Sequence, residues 1–205
     1  MAYAAALRLA RFAATNEAGD WFNPQHTFIY ANAVHQAVVR GGGEPLVARA
    51  IFHAAGAVYM DRFLNVPPAA LPGDHGELEK LPAGAEELRH GLLAALDQRG
   101  DPDAAGRFVA RYLRRGHPVD ALVDTLAYAT VREDLDFHTL QVLEAGVAQY
   151  DAWNGGAEGE RILVGVTRQL AAFCPTRRAG LQTATIARRL HRGEKIYEEA
   201  APAAT

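Results

Sequence analysis

An all-α fold follows from three observations on the sequence. Apolar residues recur at steps of three and four through most of the 205 residues. No alternating apolar and polar run is long enough to read as a strand. Pro and Gly fall at the ends of the periodic stretches, where helices start and stop. Roughly eight or nine helices are expected on this pattern, as a bundle or an array of helical hairpins. They form one domain over residues 1–199, with a Pro/Gly-rich loop at 66–84 and a frayed tail at 200–205. A chain of this length buries roughly 70% of its unfolded surface, so it needs neither a disulfide nor a metal merely to fold.

Taken in order, Ala2 to Ala14 reads as a helix with Leu7, Leu9, Ala10 and Phe12 as apolar contacts, and its abrupt start at Met1 suggests a segment removed upstream. After a turn at Asn16 to Asp20, Asn23 is a good N-cap and Pro24 suits the first helical position. The helix runs to Arg40 and is closed by Gly41-Gly42-Gly43. It carries His26 and His35, which at ~100° per residue are about half a turn out of phase and leave opposite sides of the helix. The pair cannot chelate unaided. Phe28, Ile29, Tyr30, Ala31, Ala33, Val34, Ala37, Val38 and Val39 surround them with no charge before Arg40. A helix apolar all round is a buried helix, so both imidazoles are expected inside the protein. There each needs a carbonyl, carboxylate, water or metal, since an unpaired buried polar group costs ~1–3 kcal/mol.

The next helix, Glu44 to Leu64, places His53, Ala57, Met60 and Leu64 on one stripe, read as core-facing. Pro67 to Gly84 is a loop, with His75 solvated. Helical pattern resumes over Ala85 to Arg99, breaks at Gly100-Asp101-Pro102 and continues to Arg115, with Arg107, Arg111, Arg114 and Arg115 along one flank. His90 and His117 read as surface or turn residues. Pro118 opens a helix that leads into REDLDFHTLQVLEAGVAQYDAW, where Asp134 and His138 stand four apart and hence on one face. Glu158 to Phe173 and Pro175 to Leu190 form the last pair.

Composition excludes several classes. A formal charge of -3 and a pI near 6.2 lack the basic excess that neutralises a phosphate backbone, so no nucleic-acid partner is expected. The single cysteine, Cys174, allows no intramolecular disulfide and no thiolate metal cluster, and a reducing cytoplasm is the natural setting. The chain carries no signal-peptide core and no apolar stretch of ~20 residues, so neither export nor membrane spanning is indicated. Only Lys80 and Lys195 are lysines, and with the alanine content this usage points to a GC-rich bacterial genome. The sequence has no G-x-S-x-G elbow, no phosphate loop and no dinucleotide fingerprint. Cys174, just before Pro175 at a predicted helix start, sits where a dipole would stabilise a thiolate. Its reading as a small buried hydrophobe is preferred.

The chemistry-bearing set is His26, His35, His53 and His138 on three apolar helices, with Asp61, Glu133, Asp134, Glu144 and His191 in reserve. Neutral imidazole suits iron, zinc, copper and nickel, and facing helices of a bundle can converge such ligands. Carboxylate and imidazole together favour non-heme iron. Each residue also has a plainer role. His26 could fix the Asp20-Trp21 loop with Tyr30 as its partner, and His35 could satisfy a carbonyl. Asp61 and Arg62 read as a buried ion pair. His191, with Arg188, Arg189 and Arg192, reads as a basic face that is solvated or docks an acidic partner.

The strings DWFNPQHTFIYANAVHQA, FHAAGAVYMDRFLNVP, REDLDFHTLQVLEAG and CPTRRAGLQTATIARRLHRGEKIYEE resemble the helical domain of bacterial Rieske [2Fe–2S] proteins and, more distantly, the questin oxidase-like family. The resemblance covers most of the chain outside Gly73 to Arg115. It implies an all-helical, metal-dependent oxygenase in which His26, His35, His53 and His138 bind non-heme iron and the substrate is an apolar, aromatic or quinone-type small molecule. Two departures stand out, since the pattern often has a histidine where this chain has Ala13 and another where it has Gln25. The cysteine-and-histidine Rieske motif is absent, so electrons would come from a separate Rieske-type donor. On this reading Phe28, Tyr30, Phe52, Tyr59 and Phe137 line an apolar substrate pocket entered beside the Pro67 to Gly84 loop. Ala13 and Gln25 support the alternative, a non-catalytic helical domain with an incomplete metal site that binds a small apolar ligand or a partner. A scaffold that dimerises through apolar faces fits either.

Overall fold

The computed structural model describes residues 1–63, 67–73, 76–98 and 101–195. Leu64, His75 and the tail at 200–205, about which the sequence raised expectations, lie outside the described residues. Among the described residues there are nine α-helices and no strand: α1 Ala2–Ala10, α2 Phe22–Gly41, α3 Pro45–Met60, α4 Ala85–Leu96, α5 Pro102–Arg114, α6 Val119–Arg132, α7 Phe137–Ala152, α8 Gly156–Phe173 and α9 Ala179–His191. The all-α reading is correct.

The bundle is built around α8, which packs against α1, α5 and α7. Its middle, Ile162 to Ala171, is buried on every face. The sequence ILVGVTRQLA permits this because its one charged group, Arg168, is paired inside, with the Asp103 carboxylate and the Phe12 carbonyl as acceptors. Gly165 lets α1 come close, since a Cβ there would stand 2.8 Å from the Ala6 carbonyl oxygen and 3.0 Å from the Ala10 nitrogen. Around this axis Leu9, Phe12, Trp21, Phe28, Leu92, Leu122 and Leu126 complete one core.

α2 packs against α1, α3 and α7 and leaves one side to solvent. The solvent stripe runs through His26, Tyr30, Ala33 and Ala37 at steps of three and four. His26 is therefore exposed, contrary to the expectation of burial, and His35 on the opposite side is half-buried. An apolar circumference indicates burial only when every side finds a neighbour, and α2 has neighbours on three. The helix also begins at Phe22, ahead of the expected start at Pro24.

α3 lies at the edge of the bundle, and Ala54 is its only fully buried residue. His53 and Met60 face outward rather than into the core. The inward side is formed by small and branched residues, Val47, Ala50, Ala54, Ala57 and Val58.

The loop at 67–73 folds back on the C-terminal end of α1, where the Ala69 N–H donates to the Arg11 carbonyl (2.8 Å), and Arg114 donates to the Pro72 carbonyl (2.9 Å). Arg114 also grips Glu160 with paired bonds of 2.7–3.0 Å. The arginine flank of α5 thus ties down loop and neighbouring helix; Arg107 pairs with Glu77 at 3.5 Å.

α9 buries none of its residues, yet its start is firmly held. Asp134 accepts from the Ala179 and Gly180 N–H groups at 2.6 and 2.8 Å, capping the helix N-terminus. Glu133 accepts from Arg178 (2.8 Å) and from the Thr176 backbone and hydroxyl (2.7 and 2.8 Å). Because α9 starts at Ala179 rather than Pro175, Cys174 closes α8 instead of opening a helix. Burial, with the Glu133 charge next in effect, pushes its thiol up to about 12. Cys174 is a buried, protonated core residue.

No helix among the described residues is long and apolar enough to cross a membrane.

Candidate functional site

The predicted metal ligands separate into three places. His26 of α2 and His138 of α7 meet edge to face, with ring centroids 4.7 Å apart. Phe22 stacks beyond His26 at 6.2 Å, Phe137 lies 4.1 Å from His138, and the Gln141 amide oxygen stands 3.0 Å from His138 Nδ1. His35, on the opposite side of α2, engages Gln149. His53 stands in solvent on α3. The four imidazoles do not converge, and no group of three or more His, Cys, Asp or Glu able to hold a metal ion occurs among the described residues. The set expected to bind iron supplies a histidine pair, not a four-ligand centre.

The reserve ligands are occupied elsewhere. Asp134 lies in the turn before α7, not one helical step from His138, and its carboxylate caps α9. Glu133 is committed to Arg132, Arg178 and Thr176. Asp61 is buried, and burial raises its carboxyl above the ordinary range while a hydrogen bond from Thr27 opposes the rise. Arg62 does not pair with it, because its guanidinium is stacked 3.6 Å over the Tyr59 ring and 4.3 Å over the Phe63 ring. His191 is exposed on α9. Gln25, standing where the resembled pattern often has histidine, is buried and accepts a 2.7 Å bond from Gln169.

The five residues expected to line one apolar pocket do not meet. Phe28 is fully enclosed in the core, whereas Phe52 is 79% exposed on the outer side of α3 and Phe137 63% exposed at the start of α7. Tyr30 and Tyr59 also face solvent. Only Phe52 and Phe137 adjoin a histidine in sequence, and adjacent helix positions point about 100° apart, so proximity along the chain does not place these rings on one face.

A different cleft, of about 450 Å³, opens where the N-terminus of α1 meets α2, α3 and the end of α7. Tyr3 and Trp153 form one wall, with ring centroids 5.1 Å apart. Val34 and Val38 of α2 and Ile51 of α3 supply the aliphatic part of the lining. Two polar groups converge on this apolar surface, His35 and Gln149. Arg161 donates to the Tyr3 hydroxyl at 2.8 Å and so holds that ring in place. The 67–73 loop packs at the other end of α1, so it does not form the mouth of this cleft.

Behind the cleft a polar chain runs inward from Glu144. Asn32 Nδ2 donates to Glu144 Oε2 (3.3 Å), Gln149 Nε2 donates to Asn32 Oδ1 (2.8 Å), and the same nitrogen lies 2.8 Å from His35 Nδ1. Asn32 is 5% and Gln149 1% exposed. Neither residue stands out in the sequence as a chemistry-bearing group. The signal was available, since both are uncharged amides in otherwise apolar helix stretches, and such groups occur inside proteins when they hydrogen-bond one another.

Known protein families, curated proteins and solved structures give no match to this chain.

Proposed function

We propose that the protein is a helical binding domain that takes a small apolar, ring-bearing molecule in the cleft between Tyr3, Val38, Ile51 and Trp153. The observation that carries this reading is the pairing of an apolar cleft with two convergent polar groups, the composition that small-molecule sites commonly have. Trp153 and Tyr3 offer faces for an offset or edge-on ring, and Val34, Val38 and Ile51 supply aliphatic contact. Titration with 2-acetylnaphthalene tests the reading through Trp153 fluorescence. Trp153 is half exposed at the cleft and Trp21, the other tryptophan, is enclosed in the core beside Phe12. Saturable quenching is expected, with Kd on the order of 10–100 µM for a ligand of this size at ~0.4–0.5 kcal/mol per non-hydrogen atom. Val38→Phe, which enlarges a residue of the lining, should weaken it at least about tenfold. Linear, unsaturable quenching that Val38→Phe leaves unchanged would contradict the proposal.

A second reading, metal-dependent oxidation of an apolar molecule, is favoured by one observation, the meeting of His26 and His138. It requires ligands beyond that pair, and the described residues do not provide them. Near-stoichiometric iron in protein purified without a chelator or a histidine tag would support it. Metal-free protein that takes up no Fe(II) would contradict it.

A further inference from the structure

The polar chain behind the cleft has a fixed direction, and Glu144 sets it. An ionised carboxylate only accepts hydrogen bonds, so Asn32 must turn its NH2 toward Glu144 and its carbonyl oxygen toward Gln149. That oxygen in turn requires the Gln149 NH2, not its carbonyl, at the junction. The amide nitrogen carries two hydrogens, one for Asn32 Oδ1 and one for His35 Nδ1, each at 2.8 Å. His35 Nδ1 is thereby an acceptor, and a neutral imidazole whose Nδ1 accepts carries its proton on Nε2. Among the described residues no hydrogen bond to His35 other than that of Gln149 is present.

From this geometry we infer that His35 is a specificity-determining residue, held by the Glu144–Asn32–Gln149 chain as an Nε2–H donor, and that the cleft selects apolar ligands carrying a hydrogen-bond acceptor such as a carbonyl oxygen. The inference rests on the cleft being the binding site and adds which polar atom the ligand presents. Asn32 and Gln149 are positioning residues, acting through the ring of His35. Glu144 is exposed at the outer end of the chain, whereas Asn32 and Gln149 are buried, so an amide turned the wrong way would leave its polar groups mismatched in the interior at the junction with His35. A ligand with a donor at the same place would meet N–H against donor and be rejected, since discrimination is sharpest where a mismatched ligand leaves a site's polar group unpaired.

The test uses two probes of nearly the same shape, 2-acetylnaphthalene and 2-isopropenylnaphthalene, which differ in C=O against C=CH2. Water holds the ketone better than the alkene, so a pocket without a donor prefers the alkene. Wild-type protein is expected to bind the ketone about fivefold to tenfold more tightly. In His35→Phe the preference should disappear or reverse while helicity is unchanged. Gln149→Leu leaves the ring in place but removes its guide, and the preference should fall there too. Should Gln149→Leu prevent folding, Asn32→Ser perturbs the same chain more gently. Nitrogen-15 shifts of His35 in the free wild-type protein report the ring state directly and should show a protonated Nε2 and a bare Nδ1. A protonated Nδ1, or equal binding of the two probes by wild type, would overturn the inference while leaving the binding proposal standing. Failure of both probes to quench Trp153 would overturn both.

Discussion

Glu133 concentrates more of the stabilising chemistry than any histidine does. Its side chain is wholly buried and accepts from Arg132, Arg178 and Thr176. Burial by itself pushes the carboxyl up, but the hydrogen bonds from Arg178 and Thr176 outweigh it and hold the group below the ordinary carboxylate range. A carboxyl depressed in the folded state stabilises the protein above its unfolded value and loses that contribution as pH falls through the folded value. Glu133→Gln removes one of the two carboxylates that pair with the largely buried Arg132, leaving it Asp97 at 2.8 Å, and should cost about 2 kcal/mol at pH 7. Urea unfolding at pH 7 and again near pH 3 checks this: the gap between wild type and variant should narrow in acid. An equal gap at both pH values would show that the loss is one of packing and not of charge.

At this scale the sequence was informative about chemistry and less so about direction. That His26 and His35 leave opposite sides of one helix is a matter of helical geometry, and it is what the structure shows. Which of the two faces inward is not, because it depends on where neighbouring helices stand. Gln25 and Gln169 paired in the core, and Asn32 with Gln149 beside the cleft, could be suspected as buried amides but not matched to one another across more than a hundred residues.

Among the helices, α8 is the one whose burial is most complete, and its approach to α1 turns on Gly165. A methyl group there would press on backbone atoms of Ala6 and Ala10, which cannot rotate out of the way as a side chain could. Gly165→Ala should therefore destabilise the fold by about 2 kcal/mol, in the range of overpacked cores, even though alanine is the better helix former. A midpoint of thermal unfolding equal to or above that of wild type would show that α1 can shift away. The order and type of the helices were legible from periodicity and from Pro and Gly punctuation. The errors lay at boundaries, and they had consequences. Starting α7 at Phe137 rather than upstream turns Asp134 from a candidate partner of His138 into the cap of α9. Starting α9 at Ala179 takes Cys174 out of a helix N-terminus and into the core. α3 misled by composition, since a strongly apolar helix at the edge of a bundle buries only the side that meets its neighbour. α9 raises the opposite question, because a helix anchored at its first turn but buried nowhere should protect its later amides poorly. Hydrogen exchange should be much faster over Ala184 to His191 than over Ile162 to Ala171. Comparable protection in the two segments would mean that α9 is covered in solution.

For the whole molecule, the fold class was legible and the site was not. A cleft is made by the order in which helices pack, and the sequence carries no direct signal that the first turn of α1 faces the last turn of α7. That contact brings Tyr3 to Trp153 and leaves His35 at the back of an apolar cleft, far from the role of shared metal ligand that its company on the sequence invited. The central claim is that this cleft, and not the surface around His26 and His138, receives the ligand. Chemical-shift mapping of the full chain with 2-acetylnaphthalene tests it most directly. The largest shifts are predicted at Tyr3, Val34, His35, Val38 and Trp153, with His26, Phe137 and His138 unmoved; shifts centred on the His26–His138 pair, or none at saturating probe, would contradict it.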